Sequence, residues 1–219
     1  MKYLLFDLDG TLTESGTGII KGVQYALKSV GIEETDEEKL RLFIGPPLEE
    51  SFETHYGFTG ADAEHIIEKY REYYHVTGVY ENAPYEGVTE MLAALREKEF
   101  FIAVASSKPQ NMVDIVLRHF DLEQFFEVRI GSSPERELIS KSDVIEAVLE
   151  EIGKTTGKAK ESVRPDAIMI GDRKYDILGA HESGLPCIGV LYGYGTREEL
   201  EEFGADYLAA TPGEIVELI

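Results

Sequence analysis

Short, mostly apolar runs recur along the chain and alternate with stretches that carry apolar residues at helical spacing. Apolar runs of four or five residues are typical of strands that are buried on both faces of a parallel sheet. They predict strands at 3–6, 101–105, 126–130, 167–170, 188–191 and, more briefly, 206–208. Helical spacing predicts helices at 88–96, 112–120, 143–152 and 175–183. This alternation predicts an α/β fold, a doubly wound parallel sheet with helices on both faces.

One long segment breaks the alternation and predicts helices only. These helices are expected at 18–30, 36–43, 48–55 and 61–75. We therefore divide the chain into a core domain, residues 1–14 and 83–219, and an inserted α-helical cap domain, residues 15–82. The junctions at 14–18 and 81–84 carry glycine or proline and are plausible hinges.

Composition narrows the classes of function. Of the 219 residues, 42 are acidic and 21 are Lys or Arg, so the net charge is -21. Such a surface repels phosphate backbones, and we expect no nucleic-acid partner. The single cysteine, Cys187, lies in an apolar run, which predicts an inert core residue in a reducing compartment. No signal-peptide pattern or membrane span is visible, so we expect a cytoplasmic protein without a membrane partner.

Polar residues follow three of the predicted strands. They are Asp7, Asp9 and Gly10 after the first, Ser106, Ser107 and Lys108 after the second, and Asp172 and Asp176 after the fourth. Ligands bind beyond the carboxyl ends of strands in open parallel sheets, so these residues are expected to converge. Clustered carboxylates suit Mg²⁺, while hydroxyls, helix N-termini and a lysine suit a phosphate group. Together they predict phosphoryl transfer.

The same serine residues have a second predicted role. Ser106 and Ser107 are expected to cap the helix that follows them, since Pro109 suits a first helical turn. A capped helix N-terminus is also favourable for a phosphate group, so the two roles are compatible.

Four segments resemble the signatures of the haloacid dehalogenase superfamily, in the right order and across the whole chain. The stretch Asp7-Leu8-Asp9-Gly10-Thr11-Leu12 resembles the first, Ser106 the second, Lys141 the third, and residues 171–176 the fourth. The helical insert resembles the small cap of the phosphoglycolate phosphatase-like branch. Residues 44–48 and 171–176 of this chain are also similar to the corresponding stretches of that branch. The resemblance implies a Rossmann-like core.

The resemblance also implies roles for the carboxylates. Asp7 is the expected nucleophile, which forms an aspartyl-phosphate. Asp9 is the expected general acid, and then the base for the attacking water. The expected Mg²⁺ ligands are Asp7, the backbone carbonyl of Asp9, and Asp172, with Asp176 as a direct ligand or as a residue that orients the others.

The phosphate site implied by the resemblance contains Ser106, Ser107, Lys141 and Gly10. The segment Ser140-Lys141-Ser142-Asp143 lacks the prolines that often follow this lysine in relatives. Lys108 and Lys174 are therefore alternatives for the role of the third signature, and each is otherwise expected to be a solvated helix lysine.

The activity implied is that of a Mg²⁺-dependent phosphatase for small phosphate monoesters, such as phosphoglycolate or a nucleoside monophosphate. The expected partner is a small phosphorylated metabolite, and the protein is expected to be a monomer or homodimer. Three alternatives are a β-phosphoglucomutase-like phosphomutase, a haloacid dehalogenase, and a non-catalytic binding module on the same core. Asp9 argues against the dehalogenase, and the presence of Asp7, Asp9 and Asp172 together argues against the binding module.

Overall fold

The computed structural model describes residues 2–219 and contains two sheets. The strands are β1 (Tyr3–Phe6), β2 (Thr13–Glu14), β3 (Ala83–Pro84), β4 (Phe101–Pro109), β5 (Val128–Ser132), β6 (Ala167–Gly171), β7 (Cys187–Val190) and β8 (Tyr207–Ala209). Six of them form a parallel sheet in the order β5-β4-β1-β6-β7-β8, and β2 pairs with β3. The predicted doubly wound α/β fold is confirmed.

Eleven α-helices are assigned within the described residues. They are α1 (Gly16–Ser29), α2 (Glu37–Arg41), α3 (Leu48–Tyr56), α4 (Gly60–Tyr74), α5 (Val88–Glu97), α6 (Gln110–His119), α7 (Lys141–Thr156), α8 (Lys160–Val163), α9 (Lys174–Glu182), α10 (Arg197–Glu202) and α11 (Pro212–Leu218). No described helix is long and apolar enough to cross a membrane.

The chain divides into two compact units, residues 14–83 and the remainder. These boundaries lie one residue from the predicted ones at each junction. Within residues 14–83, α1 packs against α4, where Gly22 lies against the ring of Tyr70. A Cβ atom at Gly22 would lie 2.8 Å from that ring, so glycine permits the close approach.

The larger unit is built around β1. All four residues of β1 are buried. Tyr3 and Leu5 belong to the core on the side of α7 and α9, while Leu4 and Phe6 point to the opposite face by strand alternation. Burial on both faces explains why this strand is a continuous apolar run. It also places the end of β1 at the switch point of the sheet, where β4 and β6 flank it.

Candidate active site

Asp7 follows β1 directly and lies between the ends of β4 and β6. Its N–H donates to the Ile170 carbonyl at 2.9 Å, which continues the pairing with β6 by one residue. Its side chain accepts a hydrogen bond from Lys141 Nζ at 2.7 Å and is largely buried. The first and third signature residues therefore meet, as the resemblance implies.

Lys141 is the first residue of α7, and its ammonium also lies 2.7 Å from Asp176 Oδ1. The N-terminus of α7 is fixed by a capping box. Ser140 Oγ accepts from the Asp143 N–H at 3.1 Å, and Asp143 Oδ2 accepts from the Ser140 N–H at 2.8 Å. A capping box satisfies helix donors that have no partner within the helix. The capping box therefore fixes the start of the helix at Lys141 without a proline in its first turn.

One ammonium group is shared by two carboxylates. Burial raises the pKa of Asp7 to about 6, against the effect of Lys141, and the negative charge of Asp176 adds to the rise. Burial alone would lower the pKa of Lys141, but the Asp176 and Asp7 carboxylates raise it overall. Lys141 therefore stays charged, and part of the negative charge at this site remains uncompensated.

Asp172, the residue after β6, is fully buried. Its Oδ2 accepts from the Tyr194 N–H at 2.9 Å, and its Oδ1 lies 3.4 Å from Thr11 Oγ1. Burial raises the pKa of Asp172 well above its usual range, and the charges of Asp176 and Asp7 raise it further. A carboxylate in this position favours a nearby cation.

Asp176 lies in the first turn of α9 and orients the residues around it. Its Oδ2 accepts from the N–H groups of Asp172 and Arg173, at 3.1 and 3.0 Å. Its Oδ1 pairs with Lys141. One oxygen thus accepts two backbone N–H groups and the other is paired with an ammonium, which supports the predicted orienting role more than direct ligation of a metal.

Gly10 lies at the turn after Asp9 with φ +86°, and its N–H donates to the Thr13 carbonyl at 2.8 Å. A Cβ atom at Gly10 would lie 2.2 Å from Asp172 Oδ2. A Cβ atom at Gly193 would also collide with Asp172. The N–H of Gly10 is used inside the turn, so we assign this residue a steric role rather than the predicted contact with phosphate.

The end of β4 differs from its prediction. The strand continues to Pro109, and Pro109 itself precedes α6, so Ser106 and Ser107 do not cap that helix. Alternation along the strand buries Ser106 and Lys108 and leaves Ser107 exposed on the other face. Phe6, the last residue of β1, pairs with Val104, so Ser106 lies two residues beyond the end of β1, where Asp7 and Asp9 follow that strand. Ser106 thus reaches the site, whereas the predicted substrate contact of Ser107 is not supported.

Lys108 is a site residue that the sequence interpretation placed only as an alternative. It is not a solvated helix lysine, because it lies in β4 with its ammonium 2.8 Å from Asp9 Oδ2. Continuing the strand pattern two residues past Ser106 would have placed it on the same face as that serine. The other alternative, Lys174, lies instead with its Nζ 5.3 Å and 5.5 Å from the ring centres of Tyr175 and Phe203.

The donor set fits a divalent metal ion. One oxygen each from Asp7, Asp172 and Asp176 lies within 4.8 Å of the others. With Asp9, the site holds four carboxylates and two ammonium groups, a net charge of -2 when all are ionised. Buried carboxylate oxygens with an uncompensated charge of this size suit a hard dication. The side chain of Asp9 is paired with Lys108, so any ligand from Asp9 would be its carbonyl, as predicted.

Comparisons with known proteins agree with this geometry. The family model for haloacid dehalogenase-like hydrolases matches residues 4–190. A 5'-nucleotidase of Pseudomonas aeruginosa is 42% identical over 90% of this chain and 86% of its own length. The tyrosine-protein kinase PtkA of Mycobacterium tuberculosis is 33% identical over 99% of this chain and 72% of its own.

A solved structure extends the likeness to the whole fold. A protein from Clostridium acetobutylicum described as a predicted phosphatase is 40% identical and superposes with a TM-score of 0.89, over 99% of this chain and 97% of its own. The family match covers the residues from β1 to β7 and includes all four signature segments. The chain therefore belongs to the haloacid dehalogenase-like hydrolases and is a phosphatase of that family.

Proposed function

We propose that this phosphatase hydrolyses small phosphate monoesters through an aspartyl-phosphate on Asp7, with Mg²⁺ as its metal. The observation that carries the proposal is the buried Asp7 carboxylate at the switch point of the sheet, 2.7 Å from Lys141 Nζ. A carboxylate attacks a phosphate dianion only where cations cancel the repulsion between them. Lys141 supplies part of that charge, and the carboxylate group around Asp7 and Asp172 is suited to hold the rest.

In the first step, an Asp7 oxygen bonds to phosphorus while the bond to the leaving oxygen breaks. Asp9 gives its proton to that oxygen, which leaves as an alcohol. Lys141 and the hydroxyl of Ser106 are placed to hold the phosphate oxygens; Ser106 Oγ accepts from the Lys108 N–H, so its own proton remains available. When bound by Asp7, Asp172 and the Asp9 carbonyl, Mg²⁺ would supply positive charge and orientation for the phosphate group.

In the second step, water attacks the phosphorus of the aspartyl-phosphate. Asp9, now a carboxylate, accepts a proton from that water, and the bond between phosphorus and the Asp7 oxygen breaks. Phosphate leaves, and Asp7 is a free carboxylate again. Asp9 regains its proton over the cycle, so each of the two aspartates returns to its starting state.

Nucleoside monophosphates are the substrates that we favour. The similarity to a 5'-nucleotidase at 42% identity supports them over phosphoglycolate. The active-site residues named above contact only the phosphate and its ester oxygen, so they do not themselves choose among phosphate monoesters. Phosphoglycolate therefore stays in the set of substrates to test.

The test is phosphate release from a panel of nucleoside monophosphates, phosphoglycolate and sugar phosphates, with Mg²⁺ or with EDTA. We expect release that requires Mg²⁺ and falls by more than about 1,000-fold in Asp7→Asn, the scale on which loss of a catalytic nucleophile acts. A thermal melt of the variant checks that it is folded. Full turnover by folded Asp7→Asn would show that the mechanism is wrong.

Phosphate release measures transfer to water. It therefore separates a phosphatase from a phosphomutase or kinase that uses the same aspartate and passes its phosphate to another acceptor. Wild-type protein that forms an acid-stable, hydroxylamine-sensitive phosphoenzyme but releases no phosphate would favour such a transferase over the proposed function.

A further inference from the structure

Lys108 is not one of the residues that the four signatures assign, yet it forms an ion pair with Asp9. Lys108 Nζ is 3.1 Å from Asp9 Oδ1 and 2.8 Å from Asp9 Oδ2, so one ammonium bridges both carboxylate oxygens. The Lys108 side chain is 5% exposed. Burying an ammonium group is costly unless it is paired, which distinguishes this contact from an ordinary surface ion pair.

The irregular end of β4 sets the position of Lys108. The Lys108 N–H donates to Ser106 Oγ at 3.3 Å, and the pairing of β4 with β5 shifts register between Ala105 and Pro109. Lys108 and Ser106 share one face of the strand, so the strand that delivers the predicted phosphate-binding hydroxyl also delivers this ammonium.

The two buried lysines of the site have different partners. Lys141 pairs with Asp7 and Asp176, whereas Lys108 pairs with Asp9. Asp9 precedes a turn and is the less buried of the two catalytic aspartates, so its side chain has more freedom unless a partner restrains it. Lys108 supplies that restraint at both oxygens.

We propose that Lys108 is a positioning residue for Asp9 that fixes the orientation of its carboxylate for hydrolysis of the phosphoenzyme. The inference rests on the proposed function, in which Asp9 gives a proton to the leaving oxygen and then takes one from water. The leaving oxygen arrives joined to the substrate, whereas the attacking water is placed largely by the group that accepts its proton. Orientation of Asp9 therefore matters most in the second step.

The test is pre-steady-state kinetics of Lys108→Met with p-nitrophenyl phosphate and saturating Mg²⁺. Nitrophenolate is a good leaving group, so its departure depends little on the proton that Asp9 gives, and formation of the phosphoenzyme is expected to be nearly unaffected. We expect a burst of nitrophenolate close to one per active site, followed by a steady-state kcat about 10- to 100-fold below wild type, within the range that proton transfer contributes. Slower hydrolysis of the phosphoenzyme lowers KM together with kcat, and we expect no further change in KM.

Three variants make the test specific. Lys108→Arg keeps a cation for the carboxylate and is expected to recover part of the lost rate. Lys98→Met removes an exposed lysine, whose Nζ contacts the Val216 carbonyl, and is expected to match wild type. In the Asp9→Asn background, Lys108→Met is expected to cost no more than about twofold, because the group that it positions is already lost.

Several results would overturn the proposal while the wild-type enzyme remains active. They are a wild-type kcat for folded Lys108→Met, a raised KM with unchanged kcat, or the same loss of rate with and without Asp9. A raised KM would identify Lys108 as a substrate ligand instead. Absence of phosphate release by the wild-type enzyme would count against the proposed function itself, so the two failures are distinct.

Discussion

At the scale of single residues, the space around Asp172 is determined by glycine. The side chain of Asp172 lies where Cβ atoms of Gly10 and Gly193 would otherwise be. The turn after Asp9 therefore does two things: it reverses the chain, and it leaves room for a carboxylate from another strand. A turn residue with any side chain would meet only the first requirement.

This geometry predicts that Gly10→Ala abolishes most activity. Alanine at φ +86° costs about 1 kcal/mol in conformational energy, and its Cβ would collide with Asp172 Oδ2. We expect kcat to fall by at least about 100-fold, since displacement of a positioned group by 1 Å has that scale of effect. The measurements are kcat and thermal melting with Mg²⁺.

Gly57→Ala is the matched control for that variant. Gly57 also has a positive φ, +74°, but a Cβ atom there would meet nothing within 4 Å. We expect it to lose a similar conformational energy of about 1 kcal/mol while kcat stays at the wild-type value. If the two variants lost the same activity, the collision with Asp172 would not be the cause.

The residues of the site were predictable to different degrees. Asp7 could be predicted because it belongs to a short segment that is specific in sequence, whereas Lys141 was assigned only by its place in the order of the four signatures. The helix-capping role of Ser106 and Ser107 was wrongly predicted and Lys108 was underrated for one shared reason: the apolar run ends at Ala105, while the strand continues to Pro109. The last residues of this strand are polar because they form the site. A pattern of apolar residues therefore cannot show where the strand ends.

At the scale of elements, α7 is held by a cluster of charges as well as by its apolar face. Arg164 donates to both carboxylate oxygens of Glu146, at 2.6 and 3.0 Å, and Lys160 donates to the same carboxylate at 2.6 Å. Arg164 also donates to the Ser183 carbonyl at the end of α9. The cluster joins α7, which carries Lys141, to the segment that leads into β6.

Glu146→Gln is expected to lower stability in a manner that depends on pH. The hydrogen bond from Arg164 lowers the pKa of Glu146 to about 2, with a further contribution from Lys160 against the effect of burial. A carboxylate whose folded pKa lies below its unfolded value, about 4.3, stabilises the fold above that value and loses the effect as pH falls toward 2. Because about a third of the side chain is exposed, we expect a loss of about 1 kcal/mol at pH 7.

Urea unfolding of Glu146→Gln and wild type at pH 7 and at several values below pH 4.5 measures this effect. The difference in unfolding free energy should shrink as the pH falls. Glu150→Gln is the control, because its ion pair with Lys154 is well exposed and is expected to contribute less than about 0.5 kcal/mol. A difference for Glu146→Gln that stays constant down to pH 3 would contradict the assignment to its ionised form.

The elements that escaped prediction are those too short to show a period. Helix α8 has four residues and α10 has six, which is less than two helical turns, and β2 and β3 have two residues each. Long elements such as α7 were predicted, but its first residue was not. That start depends on the Ser140–Asp143 capping box, a local hydrogen-bond pattern rather than an apolar one.

At the scale of the whole molecule, the net charge of -21 opposes the approach of a phosphate ester. The cations of the site act only at short range. Salt screens like-charge repulsion, with a Debye length of about 30 Å at 0.01 M and about 8 Å at 0.15 M. We therefore expect kcat/KM to rise several-fold as an inert salt is added at saturating Mg²⁺, while kcat stays constant.

The control for this prediction is a comparison of substrates with different charge. The rise in kcat/KM should be steeper for phosphoglycolate, which carries an additional carboxylate, than for a nucleoside monophosphate. A fall in kcat/KM with salt for both would mean that a local positive field, rather than the net charge, governs encounter.

The position of β1 in the sheet has a consequence for how a nascent chain matures. Tyr3 pairs with Phe101 on one side and with Ala167 on the other. Strand β1 therefore has no partner strand in the sheet until the ribosome has made the residues between them. Residues 14–83 are continuous in sequence and leave the ribosome before either neighbour, so this unit can fold first. During that interval β1 is an apolar strand with two open edges, the kind of segment that aggregates most readily. The insertion therefore lengthens the period in which this apolar strand is exposed before its partners are made.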